Sequence, residues 1–188
     1  MNFIDDQPFE NLDFSSISFK TAEYTDCVFT NCQFVGVDLS ACRFQDCTFE
    51  NCDLSNAKVF ETAFQDVQFK HSKLMGLGFD QCRTFGLAIS FEHCQLNHAI
   101  FYQVDLSKCR FTNCQMHEAD LTEADLSGIL LTQCDLTGTT FDQTNLQKTD
   151  LSDSFNFQID PVTNSITGAT FSRNSLEGLL MEYRIRVV

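Results

Sequence analysis

The sequence has no tryptophan, only 2 prolines, and just 12 Lys and Arg against 26 Asp and Glu, for a formal net charge of −14. The few bases never cluster, which excludes direct nucleic-acid binding and an anionic membrane surface as partners, because both need grouped Lys and Arg. No apolar run approaches the roughly 18 residues of a membrane span. The stretch Met1 to Pro8 has neither a positive segment nor an apolar one, so a cytoplasmic location is expected. The 8 glycines are dispersed and build no phosphate loop, and no nucleophile, base and orienting acid recur at a useful spacing. The chain is therefore expected to be non-enzymatic and to need no cofactor.

What the sequence does have is a period of five. Every fifth residue from Phe9 is apolar: Phe14, Phe19, Tyr24, Phe29, Phe34, Leu39, Phe44, Phe49, Leu54, Val59, Phe64, Phe69, Leu74 and Phe79 follow in turn. The series breaks at Thr84, resumes at Phe91 with a shift of two, and runs to Leu151. With 43% hydrophobic residues overall, the 28 apolar hits of these two registers arise by chance on the order of 10⁻¹⁰ of the time. Five residues rotate 500° in an α-helix, which scatters the marked residues around the cylinder. In a straight strand five is odd, so successive marked residues point to opposite faces. A chain that keeps them all on one side must turn after each pentad, and stacking such turns gives a β-solenoid with the marked residues inside.

Two places before most marked residues the side chain is small, as at Ala22, Cys27, Cys32, Val37 and Cys42, and all 10 cysteines occupy this slot. Strand alternation points it inward as well. The Cys-x4-Cys spacings at Cys27/Cys32, Cys42/Cys47/Cys52 and Cys109/Cys114 raise a metal or redox reading, but His71, His93, His98 and His117 fall in outward slots while every Cys points in. Buried reduced thiols acting as small fillers are expected, with no metal site and no disulfides.

Ala119-Asp120-Leu121-Thr122-Glu123, Ala124-Asp125-Leu126-Ser127-Gly128 and Cys134-Asp135-Leu136-Thr137-Gly138 carry the motif most cleanly. In these residues the chain resembles the pentapeptide-repeat family. That resemblance implies an all-β, right-handed, four-sided parallel β-helix with four pentads per coil, here seven coils, and a short C-terminal helix. The β-helix is placed at residues 1–171, with a bulge or bent coil near 80–90, and the helix and tail at 172–188. Leu176, Leu179, Leu180 and Tyr183 fit an amphipathic helix between Ser172 and Tyr183, and Ile185 to Val188 a strand.

Within the family the chain is most similar to Qnr-type, topoisomerase-interacting members, through its length, its mid-chain irregularity at Cys82 to Phe85, the Ile159-Asp160-Pro161 segment and its tail. Transferred by resemblance, Leu176, Leu179, Leu180, Met181, Tyr183 and Ile185 form a homodimer seam, with a simple cap over the last coil as the alternative. The acids Glu118, Asp120, Glu123, Asp125, Asp135, Asp142, Asp150 and Asp153 give residues 111–153 a net charge of −7. Placed at the middle of a dimeric rod, they imply mimicry of DNA on DNA gyrase or topoisomerase IV, with quinolone or toxin protection as its outcome. The two-residue insertion leaves little room for the long loops of many protective members. A scaffold with an unrelated protein partner is the alternative, with Phe60, Ile100, Tyr102 and Leu130 as its contacts.

Overall fold

The computed structural model describes residues 2–185. Short strands stack in parallel with partners 20 residues apart: Phe9 pairs with Phe29, Phe29 with Phe49, and Tyr24 with Phe44. Twenty residues are four pentads, so each coil has four sides, numbered here 1 to 4 from those of Phe9, Phe14, Phe19 and Tyr24.

Face 1 is the most regular. Its strands β2 (Pro8–Glu10), β4 (Val28–Thr30), β6 (Thr48–Glu50), β8 (Val67–Lys70), β9 (Ile89–Glu92), β10 (Arg110–Thr112) and β11 (Leu131–Thr132) form one sheet. A bridge from Leu130 to Asp150 carries it into β12 (Asp150–Leu151), which pairs with β13 (Thr170–Phe171). Stacking therefore extends past the seven coils counted from the period. Face 4 carries β1 (Asn2–Asp5), β3 (Ala22–Thr25), β5 (Arg43–Gln45) and β7 (Ala63–Gln65).

The interior is a set of aromatic columns. Phe9, Phe29, Phe49, Phe69, Phe91 and Phe111 stack at centroid separations of 4.7, 4.6, 4.9, 5.6 and 5.0 Å. The coil spacing of about 4.8 Å is also a comfortable ring-stacking distance, so one geometry satisfies both backbone and side chains. The small slot does more than fill space. Thr62, Thr144 and Ser154 donate to the carbonyls of Leu39, Leu121 and Leu131 in the preceding coil at 2.8 to 2.9 Å. The Cys47 and Cys52 thiols reach Tyr24 and Phe29 in the same way. Cys, Ser and Thr suit the slot because each is small and carries a donor for a carbonyl that water cannot reach. All ten cysteines are buried free thiols.

Most corners are turned by left-handed residues two places after the marked position, among them Asn31, Asn51, Glu61, His71, Glu118 and Glu123, with φ between 49° and 57°. Gly36, Gly76, Gly128, Gly138 and Gly168 occupy the same place. Residues before the marked position make a second local device: Asp38, Asp53, Asp105, Asp120, Asp125 and Asp150 each accept the backbone N–H two residues on, at 2.8 to 3.0 Å. These Asx turns close the side of the coil.

The irregular coil lengthens one repeat to 22 residues, since Val67 pairs with Ile89 and Phe69 with Phe91. Thr84 and Phe85 swing outward, and Leu87 enters the core in place of a residue at 84. At the C-terminus two 3₁₀-helices, η1 (Arg173–Leu179) and η2 (Met181–Tyr183), cover the last coil in place of the amphipathic helix. Ser172 caps η1 through Asn174 N–H, and Gly178 lies where a Cβ would overlap the Phe157 carbonyl oxygen. The strand expected at Ile185 to Val188 falls largely outside the described residues, and Ile185 itself is in no regular element.

Candidate functional site: an acidic face beside an apolar end

The eight acids of the 118–153 segment are spread over all four sides. Asp125 lies on face 4, Asp135 on face 2, Asp150 on face 1 and Asp153 at the corner that follows face 1. Glu118, Asp120, Glu123 and Asp142, however, meet on face 3 and its two corners, in neighbouring coils whose register is fixed by the Ile100, Asp120 and Thr140 bridges. Asp160 adds a fifth carboxylate beside Thr140. No Lys or Arg occurs in the parts of these coils that form face 3, residues 98–103, 118–123, 138–143 and 158–163.

The acids on this face differ in freedom. Asp120 is tied into its Asx turn by Thr122 N–H. Glu118 and Glu123 stand on left-handed corners and project outward, with Glu118 3.5 Å from His98 and Glu123 accepting from Gln103 Nε2 at 2.7 Å. The sequence shows eight equivalent acids; the structure separates those that hold the coil from those that only present charge. Asp135 belongs to the first kind. Burial on its own raises its carboxyl, but donors from Thr137, Asn156 and His117 outweigh it and take the pKa down to about 2.

Face 3 runs into the C-terminal end. A groove of about 490 Å³ lined by Thr140, Gln158, Asp160, Gly178 and Met181 joins the two. Of the six seam residues named from the sequence, Leu179 packs on the core as part of the cap and Leu180 is half-buried. Leu176, Met181, Tyr183 and Ile185 remain exposed, at 44, 52, 55 and 57%. The apolar contacts of the scaffold reading converge only in part. Phe60, Ile100 and Tyr102 share face 3, with Asp80 between Phe60 and Tyr102, while Leu130 lies on face 1.

A feature missed from the sequence is a charge column at the corner between faces 4 and 1. Asp6, Asp26, Asp46 and Asp66 stack there, one per coil, and Lys108 and Lys148 continue the line after the bulge. Reading every twentieth residue, with a shift of two at the bulge, would have revealed it. Among the described residues, no group of three or more His, Cys, Asp or Glu is placed to hold a metal ion, and no helix is long and apolar enough to cross a membrane.

A four-sided coil with an inward Phe or Leu every fifth residue is the architecture of one repeat family, and the family model for the pentapeptide repeat region matches residues 4–79 and 88–180. The chain belongs to the pentapeptide-repeat family. The gap in the match coincides with the 22-residue coil. Two trypsin-treated variants of QnrB1, a plasmid-mediated fluoroquinolone resistance protein, share this repeat fold. One has a TM-score of 0.72 at 23% identity, covering 100% of this chain and 92% of that chain. The other has a TM-score of 0.65 at 20% identity, covering 100% of both. HetL, a pentapeptide repeat protein involved in heterocyst differentiation regulation from the cyanobacterium Nostoc, gives a TM-score of 0.50 at 15% identity, covering 90% and 85%. No curated protein sequence matches the chain.

Proposed function

We propose that this pentapeptide-repeat protein is a non-enzymatic, cytoplasmic rod that binds a bacterial type II topoisomerase, DNA gyrase or topoisomerase IV, by presenting the charge of DNA. The observation that carries this reading is face 3, where Glu118, Asp120, Glu123, Asp142 and Asp160 form a surface without Lys or Arg that borders an exposed apolar end. A homodimer joined through Leu176, Met181, Tyr183 and Ile185 brings two such faces to the middle of one long rod. A basic DNA-binding surface is then met by a rigid array of carboxylates, whose attraction is long-ranged and screened by salt.

The test is supercoiling by gyrase from the protein's own host, titrated with this protein at low and moderate salt, with and without a quinolone. Inhibition or drug relief that fades as salt rises is expected. Glu118→Lys with Glu123→Lys is the informative variant, because neither side chain holds an Asx turn, whereas reversing Asp120 or Asp125 also disturbs the coil. Full activity of the double variant would rule out face 3 as the contact. Replacing Leu176 and Met181 by Asp should lower the mass seen by light scattering by removing the end-to-end contact, and weaken the effect on gyrase.

A further inference from the structure

The corner between faces 4 and 1 carries an antisymmetric column of charge. Counting coil by coil along it gives Asp6, Asp26, Asp46, Asp66, Ala88, Lys108, Gly128, Lys148 and Gly168; pairing of Val67 with Ile89, and of Ser90 with Arg110, fixes the register across the bulge. Ala88 is the midpoint. One coil away on either side are Asp66 and Lys108, and three coils away Asp26 and Lys148. At two and four coils, Asp46 and Asp6 are matched by Gly128 and Gly168. No acid faces an acid and no lysine faces a lysine. Among the described residues, none of these six charged side chains forms an ion pair within the chain.

Beside this midpoint stands Phe85, 89% exposed, on the bulge that the two extra residues create. Arg110 flanks Lys108 across a recess that also includes Asp66, while Asp105, whose carboxyl Lys108 helps to lower, stands on the face 4 side of the same coil.

We propose that this corner is a self-complementary docking surface, and that its partner is a second copy of the chain lying alongside in the opposite direction. A two-fold axis perpendicular to the rods at the Ala88 coil sets Asp66 opposite the partner's Lys108 and Asp26 opposite the partner's Lys148, each pair occurring twice. The same axis brings Phe85 against the partner's Phe85. A closed two-fold contact of this kind uses the same patch on both copies, which is the arrangement the column's antisymmetry fits. The ion pairs are surface pairs and fix direction and register more than affinity. The apolar centre comes from the two Phe85 rings, released from water on contact. This association is independent of the topoisomerase reading, since face 3 lies on the other side of the coil.

The test uses Thr84→Cys, an exposed bulge position that leaves Phe85 in place; the native cysteines are all buried and stay silent. A short bismaleimide should link two chains at low salt, and linking should fall about tenfold with Lys108→Glu and return when Asp66→Lys is added. Phe85→Ser should lower it in the same way. A dimer joined only through the C-terminal end holds the two thiols on the order of 40 Å apart and gives no short cross-link. Absence of cross-linking, or linking unaffected by Lys108→Glu, would overturn the side-by-side pair.

Discussion

His117 and Asp135 face each other on adjacent coils of face 2, with the imidazole Nε2 2.8 Å from the carboxylate Oδ2. The same carboxylate accepts from Thr137 and Asn156, and these donors hold its pKa at about 2, below the ordinary 3.8. A carboxyl depressed in the folded state contributes stability that is complete above the unfolded pKa and disappears as pH falls from about 4 through about 2. Asp135→Asn should therefore cost about 1 to 2 kcal/mol at pH 7, allowing for partial solvent screening, and little at pH 2. Urea unfolding at both pH values checks this. An equal deficit at both would place the effect in packing instead of charge.

Gly178 and Gly128 separate two reasons for glycine. At Gly178 a Cβ would overlap the Phe157 carbonyl and come within 2.9 Å of its ring, so Gly178→Ala should release the cap and raise hydrogen exchange across η1. At Gly128 φ is 73° with nothing within 4 Å, so Gly128→Ala should cost only the conformational term, about 1 kcal/mol, with exchange in η1 unchanged.

Ala41 turns a corner at φ 58°, a conformation that Asn11, Asn31, Asn51, Asn56 and Asn113 adopt elsewhere in the chain. Alanine gains nothing there to offset the clash of its Cβ, whereas asparagine tolerates it. Ala41→Asn should raise stability by about 0.5 to 1 kcal/mol, seen as a higher melting temperature. A lower melting temperature would contradict the corner assignment.

Burial pushes the Cys47, Cys52 and Cys109 thiols up to about 12, which leaves almost no thiolate at neutral pH. Native protein should react with a disulfide reagent only as fast as it unfolds, while denatured protein should show all ten thiols. Rapid titration of several thiols in the native state would mean that the interior opens locally.

The interior was legible because it is periodic: Phe29, Phe49 and Phe69 are marked in the chain as plainly as they stack in space. The corners were less so. Left-handed residues two places on are Asn, Asp, Gly, His, Glu, Gln, Lys or, at 41, Ala, a set that reads as an ordinary surface unless the turn is already known. Aspartates were ambiguous for a chemical reason, since one carboxylate can hold an N–H, as Asp125 does, or simply meet solvent, as Asp142 does, and composition registers both as charge. The bulge was located but not its filling, because Leu87 takes the interior place through a two-residue detour that no fixed period describes. The column from Asp6 to Lys148 was hidden at the repeat of five and shows only when whole coils are counted, including the one of 22 residues.

The first described coil carries two features that blunt strand pairing on its outer side. Pro8 occupies the place where Val28 donates its N–H to the coil before, and so has no hydrogen to offer. The Gln7 amide covers the Asp5 and Asp6 carbonyls, each at 3.0 Å. A stack whose strands pair at 20-residue intervals has its length written in units of whole coils. Excising or duplicating residues 31–50 would leave every neighbour with an equivalent neighbour, so such chains can be shortened or lengthened by one storey at a time, while a change of any other size must be absorbed, as at Phe85, by a balcony.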